Sequence, residues 1–211
     1  MKRFALIVST AALLATGSAS ADVIVTGLLD GDLTGGTPKA IELYIVGTED
    51  LSNYTLYRSS NGGSFSSAGS LSGSFTDTFV YLVPNVSDFS GVFGSSGIFA
   101  NTVTAGGVSG NGDDGFQIRN AAGDTVIDQV WTEDTSDSYK DSYWYRNNNT
   151  GPDGTWVPTN WTAAGNGALD GLDAAGHAAA VPFGTYVPVP EPTSLALLGL
   201  GSLLIARRRR A

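Results

Sequence analysis

Cysteine is absent from the 211 residues, and histidine occurs once. Without thiols there are no disulfide staples, thiolate metal centres or cysteine nucleophiles, so the fold must hold by packing alone. A zinc site built from several His or Cys ligands is excluded with them. The single His177 lies in Ala174-Ala175-Gly176-His177-Ala178, a stretch with no clear strand or helix pattern. A Ser-His-Asp triad needs a histidine held between nucleophile and carboxylate, and this segment offers no such support.

Basic residues are also scarce: 11 Lys and Arg stand against 20 Asp and Glu. Six of the 11 sit at the two ends, as Lys2, Arg3 and Arg207 to Arg210. Between Asp22 and Pro190 only Lys39, Arg58, Arg119, Lys140 and Arg146 remain, five bases against nineteen acids, for a net charge of about −14. Such a surface repels phosphate backbones and anionic lipid headgroups, which excludes a nucleic-acid partner. The Gly-rich stretches near 61–74 and 94–112 contain no phosphate-loop lysine pattern, so nucleotide binding has no basis. No segment of this region keeps a 3.6-residue apolar period over three turns, which excludes a helical domain.

The ends carry addressing features. Lys2 and Arg3 precede an apolar run from Phe4 to Leu14, followed by small residues ending Ala19-Ser20-Ala21. This order reads as a secretory signal peptide over 1–21, with Ala19 and Ala21 forming the Ala-x-Ala-like cleavage site. It implies the Sec machinery and signal peptidase as partners. At the other end, Val189-Pro190-Glu191-Pro192 leads through Thr193-Ser194 into an apolar run from Leu195 to Ala206 and then Arg207 to Arg210. Prolines fix φ and remove amide donors, so this strip is extended and accessible. The apolar run favours lipid, and the arginines resist translocation. Its dozen residues reach only about 18 Å as a helix against a hydrocarbon core of about 30 Å, a short anchor suited to processing.

Pro190-Glu191-Pro192, the apolar run and the terminal arginines together resemble the PEP-CTERM sorting signal of Gram-negative bacteria. The resemblance covers about the last tenth of the chain. It implies recognition by an exosortase, cleavage near Pro190-Glu191-Pro192, and delivery to the envelope or the exterior. Membrane contact would run only through this C-terminal segment, before processing.

The intervening region is rich in Gly, Ser, Thr, Val and aromatics, with short apolar runs broken by Gly, Asn and Asp. That pattern predicts an antiparallel all-β domain of eight or nine strands. Asp22 to Leu28 is a nearly continuous apolar strand, and 30–38 reads as a loop. From Lys39 to Val46, Ile41, Leu43 and Ile45 share one face while Glu42 and Tyr44 share the other. Further strands are predicted at 51–57, 78–83, 125–131 and 142–146, and around Phe116 and Ile118. Residues 90–107 look poorly defined. Beyond Ala163 the pattern fades, so 174–188 reads as a linker with a possible edge strand at 181–186. The domain plan is therefore 1–21 signal peptide, 22–173 β-sandwich, 174–188 linker and 189–211 sorting signal with its short apolar helix.

Four segments carry a second resemblance: Lys39-Ala40-Ile41-Glu42-Leu43-Tyr44, Asp50 to Leu56, Val80-Tyr81-Leu82-Val83, and Gly112 to Ile118. With Tyr143-Trp144-Tyr145-Arg146 and Asn160-Trp161, they resemble the lamin-tail domain of secreted bacterial proteins, from about Val23 to Leu172. The resemblance implies an immunoglobulin-like β-sandwich and carries no catalytic residues.

Three constellations remain. Asp30-Gly31-Asp32, Asn111 to Asp114 and Asn147 to Asp153 place hard oxygen ligands on turns, as calcium prefers. None matches the twelve-residue calcium loop, and Asp and Asn are ordinary turn formers, so no metal is assigned. Nineteen acids guarantee some carboxylate pair at glycosidase spacing by chance, which gives that signal no weight. The late aromatics Trp131, Tyr139, Tyr143, Trp144, Tyr145, Trp156 and Trp161 either fill a core or stack on sugar rings, with Trp144 and Trp161 as the candidate ligand contacts. The sequence thus predicts a non-enzymatic, cofactor-free, exported β-sandwich with a structural or adhesive role in the envelope or extracellular biofilm matrix. The alternative is an exopolysaccharide-binding module.

Overall fold

The structure, a computed structural model, describes residues 22–189. The signal-cleavage positions Ala19 and Ala21 lie outside the described residues, as do Pro190, Glu191, Pro192 and Arg207, Arg208, Arg209 and Arg210.

The described residues form ten strands. In chain order they are β1 (Asp22–Leu33), β2 (Thr37–Asp50), β3 (Tyr54–Ser59), β4 (Ser66–Ser70), β5 (Ser74–Val83), β6 (Thr102–Thr104), β7 (Gly115–Asn120), β8 (Val126–Val130), β9 (Ser142–Arg146) and β10 (Trp161–Ala163). A six-stranded sheet has the order β10-β9-β1-β2-β5-β6, and a four-stranded sheet the order β4-β3-β7-β8. All pairings are antiparallel except β5 with β6. This is a β-sandwich, as the sequence predicts.

The core between the sheets takes Val23, Val25, Leu28, Ile41, Leu43 and Ile45 from the larger sheet, and Leu56, Phe116, Ile118 and Val130 from the smaller. The predicted face of β2 is therefore the inner one. Its other face is not solvent. Ile24, Leu29, Ala40, Phe79, Tyr81 and Val83 pack beneath helix α1 (Val86–Phe93), helix α2 (Ala174–Ala180) and the segment after it, through Phe89, Val181, Phe183 and Tyr186. A strand buried on both faces reads as a continuous apolar run, which is why β1 does not alternate.

Three expectations are corrected. Residues 30–38 are not a loop: β1 and β2 continue as a hairpin with only Thr34-Gly35-Gly36 in the turn, and Gly35 and Gly36 adopt φ of 88° and 66°. Residues 90–107 are ordered rather than undefined. Asn85 caps α1 by accepting from the Ser87 amide at 2.9 Å, and the helix drives Phe89 fully into the outer core. Residues 174–188 are not a linker. Asp173 caps α2, and Val181, Phe183 and Tyr186 are 4%, 5% and 3% exposed. Their spacing has no strand or helix period because they descend from an irregular strap rather than a regular element. Among the described residues no helix is long and apolar enough to cross a membrane.

Candidate functional site

The late aromatics converge, but not into an open platform. Trp131 and Trp144 stack at 5.9 Å, and Trp156 meets both edge-on at 5.7 and 5.4 Å. Trp161 lies 5.7 Å from Trp156 and is 6% exposed. The Trp144 Nε1–H donates to Ser138 Oγ at 3.3 Å. Of the expected sugar contacts, Trp161 is buried in the inner core, while Trp144 is half-buried and packs against that core together with Trp131 and Trp156.

The Trp161 ring also meets a residue whose role the sequence did not disclose. The Arg146 guanidinium stands 4.6 Å from the ring centroid and is almost wholly buried. Its NH2 group donates to both Asp128 oxygens at 2.7 and 2.6 Å, its Nε to the Val25 carbonyl at 2.6 Å, and its NH1 to Gly151 O and Asp153 Oδ2 at 2.7 and 2.9 Å. Asp128 in turn accepts from the amides of Val25, Gln129 and Asp153. Burial pushes the Asp128 carboxyl up to about 6, while Arg146 and the amides pull it down, so it stays ionised at neutral pH. Because β8 and β9 belong to different sheets, this charge-assisted pair ties the sandwich together. Asp153 is thus engaged by Arg146 and Asn160, which removes the 147–153 loop from the calcium candidates.

The other two acidic loops do meet. Asp30, Asn111 and Asp113 line a polar cavity of about 300 Å³ together with Asn61, Asp137 and Asp141, and Lys39 and Lys140 contribute the positive charges. Lys39 is ion-paired with Asp30. Asp113 is 8% exposed and makes no side-chain hydrogen bond to another described residue; burial raises its pKa, and Asp114 adds to the shift. Next to this cavity, Asp32, Asp141 and Asp170 can each place one carboxylate oxygen within 4.8 Å of the others. Three carboxylates so close are suited to a hard cation, although Asp32 already accepts from the Gly171 amide at 3.2 Å.

Two further polar groups are used inside the fold. His177 is fully buried, with Nε2 accepting from the Asp32 amide at 3.1 Å and Nδ1 3.0 Å from the Asp173 carbonyl. That pattern assigns the proton to Nδ1 and gives the ring a bracing role between α2 and the end of β1. Glu42 is also fully buried. A bulge between Val25 and Gly27 turns Thr26 toward it, so that Thr26 Oγ1 donates to Glu42 Oε1 at 2.7 Å. The Gly184 amide donates to Oε2 at 2.6 Å. Glu42 thus holds the strap that follows α2. Burial raises the Glu42 carboxyl to about 7 despite these donors. The Tyr81 hydroxyl lies beside it, buried, without meeting any partner in good geometry.

Comparison with known proteins gives one match: residues 188–210 fit the PEP-CTERM protein-sorting motif. The motif marks an exported protein that is sorted to the cell envelope and processed by an exosortase. No curated protein and no solved structure matches the chain.

Proposed function

We propose that this is an exosortase-sorted protein of the outer surface or extracellular matrix whose mature part is a structural or adhesive β-sandwich, not an enzyme. The carrying observation is the sorting motif at 188–210, set directly after a domain whose chain is packed as far as Tyr186. Pro190, Glu191 and Pro192 are the recognition strip in this reading, and Arg207 to Arg210 hold the C-terminal end on the cytoplasmic side until cleavage. The Sec machinery and signal peptidase act at the other end, at Ala19 and Ala21.

In this reading the domain is of the immunoglobulin-like, lamin-tail-like class. The support is that the four resembling segments fall on β2, the start of β3, β5 and β7, elements that build both sheets. A non-enzymatic role is supported by the uses found for the reactive side chains. His177 braces α2, Glu42 holds the strap, and Arg146 with Asp128 joins the sheets. Exopolysaccharide binding is the weaker reading, since the tryptophans offered for it also pack against one another.

The test is processing of the full chain in a host carrying an exosortase. Changing Pro190-Glu191-Pro192 to alanines is expected to leave uncut precursor at the inner membrane. Unaltered mature mass and location in that variant would remove the sorting reading.

A further inference from the structure

The strap from Val181 to Val187 stands where the folded domain ends and the sorting motif begins. Only Pro188 and Val189 separate Val187 from Pro190. Val187 is fixed on both sides of its peptide: its amide donates to Asn148 Oδ1 at 2.9 Å, and its carbonyl accepts from the Asn149 amide at 2.9 Å. Three residues of extended chain span at most about 10 Å, so at most that length of chain joins the docked Val187 to the motif. A processing enzyme that grips an extended substrate on both sides of Pro190-Glu191-Pro192 has almost no free chain on the N-terminal side.

The way the strap is held allows it to lift as a piece. It pairs with no strand, so lifting breaks no sheet ladder. Its polar ties are made mainly to side chains: Gly184 N–H to Glu42, Thr185 N–H to the Tyr145 hydroxyl at 3.1 Å, and Val187 N–H to Asn148. The Tyr186 hydroxyl donates to the Thr150 carbonyl. Two apolar anchors give the grip. Phe183 lies over Gly27, where any Cβ would stand 2.6 Å from its Cε1, and Tyr186 packs tilted against Tyr44 at 5.9 Å. Against these stands the cost of what the strap covers: a Tyr81 hydroxyl held in poor geometry and a buried Glu42 carboxyl faced by Thr26, Tyr81 and Tyr145, with no cation among these groups. Both groups regain water when the strap lifts, which places this segment among the more easily opened parts of the domain.

We propose that the docked strap is a brake on sorting: the exosortase engages the motif only in the fraction of molecules whose strap has lifted, so docking sets the processing rate. This inference rests on the exosortase reading above. In a pre-equilibrium of this kind the observed rate scales with the competent fraction. Freeing the motif without touching the fold should therefore speed processing.

The experiment inserts a six-residue Gly-Ser spacer between Val187 and Pro188 of the full chain and follows precursor half-life by pulse labelling in an exosortase-carrying host. The brake predicts that the half-life falls at least threefold. An unchanged or longer half-life overturns it. The Pro190-Glu191-Pro192 to alanine variant is run in parallel. If that variant is cut like the wild type, the sorting reading itself fails; if it persists as precursor while the spacer has no effect, only the brake fails.

Discussion

Glu42 is the residue on which pH should act. Its carboxyl is raised to about 7 from an ordinary 4.5, so the folded domain holds this proton more tightly than the unfolded chain. The stability this contributes is fully present below pH 4.5 and is lost as pH rises through 7. A gap of that size corresponds to roughly 3 kcal/mol at its limit. Thermal melts between pH 5 and 8 should therefore fall more steeply for the wild type than for Glu42→Gln, which keeps an acceptor for Gly184 and has nothing to ionise. Equal slopes would show that the burial of Glu42 is not what the fold implies. Arg146 makes a second prediction at this scale. Arg146→Met strands the Asp128 carboxylate inside the sandwich, and breaking one side of a buried pair costs about 3–5 kcal/mol. Urea denaturation reads this directly, and a loss under about 1 kcal/mol would contradict the cross-sheet role. The Arg146–Asp128 pair was not legible in the sequence. Arg146 closes an aromatic run and Asp128 sits between apolar residues, but 17 intervening residues give no hint that they meet.

At the scale of elements, periodicity decided what was readable. β2 could be placed because one of its faces is consistently apolar, and β5 because 79–83 is a continuous apolar run; the assignment of Ile41, Leu43 and Ile45 to one side matches the inner core. The strap could not be placed. Val181, Phe183 and Tyr186 are separated by proline and glycine, and their burial depends on tertiary partners such as Gly27 and Tyr44. Its contribution is measurable: Phe183→Ala should destabilise the domain by about 3–5 kcal/mol. A linker residue would change it by a few tenths. The tryptophans show the complementary failure. Their clustering late in the chain was legible, but whether they faced ligand or each other was not, since both need the same residue types. Trp144→Ala should alter near-ultraviolet circular dichroism and lower the melting temperature, while leaving migration in polysaccharide-containing gels unchanged. Retardation of the wild type that the substitution abolishes would restore the sugar platform.

For the molecule as a whole, the absence of cysteine and the acidic balance fit a domain that holds by burial alone. It does so with a layer on each side of its larger sheet, a thicker construction than the two-layer sandwich the strand count suggested. The all-β class was readable from short alternating runs, whereas the outer layer was not, because α1 and α2 are only eight and seven residues long. The acidic cavity was half readable: the 30–32 and 111–114 loops were visible as oxygen-rich turns, but their meeting with Asp137 and Asp141 is a product of topology. In the proposed reading the domain is cargo joined to a removable address. Intact mass spectrometry of the protein recovered from the envelope or medium of an exosortase-carrying host tests that join most directly. The predicted species begins at Asp22, retains the strap through Val187, and lacks the apolar run and Arg207 to Arg210. Recovery there of a chain that still carries its C-terminal arginines would contradict it.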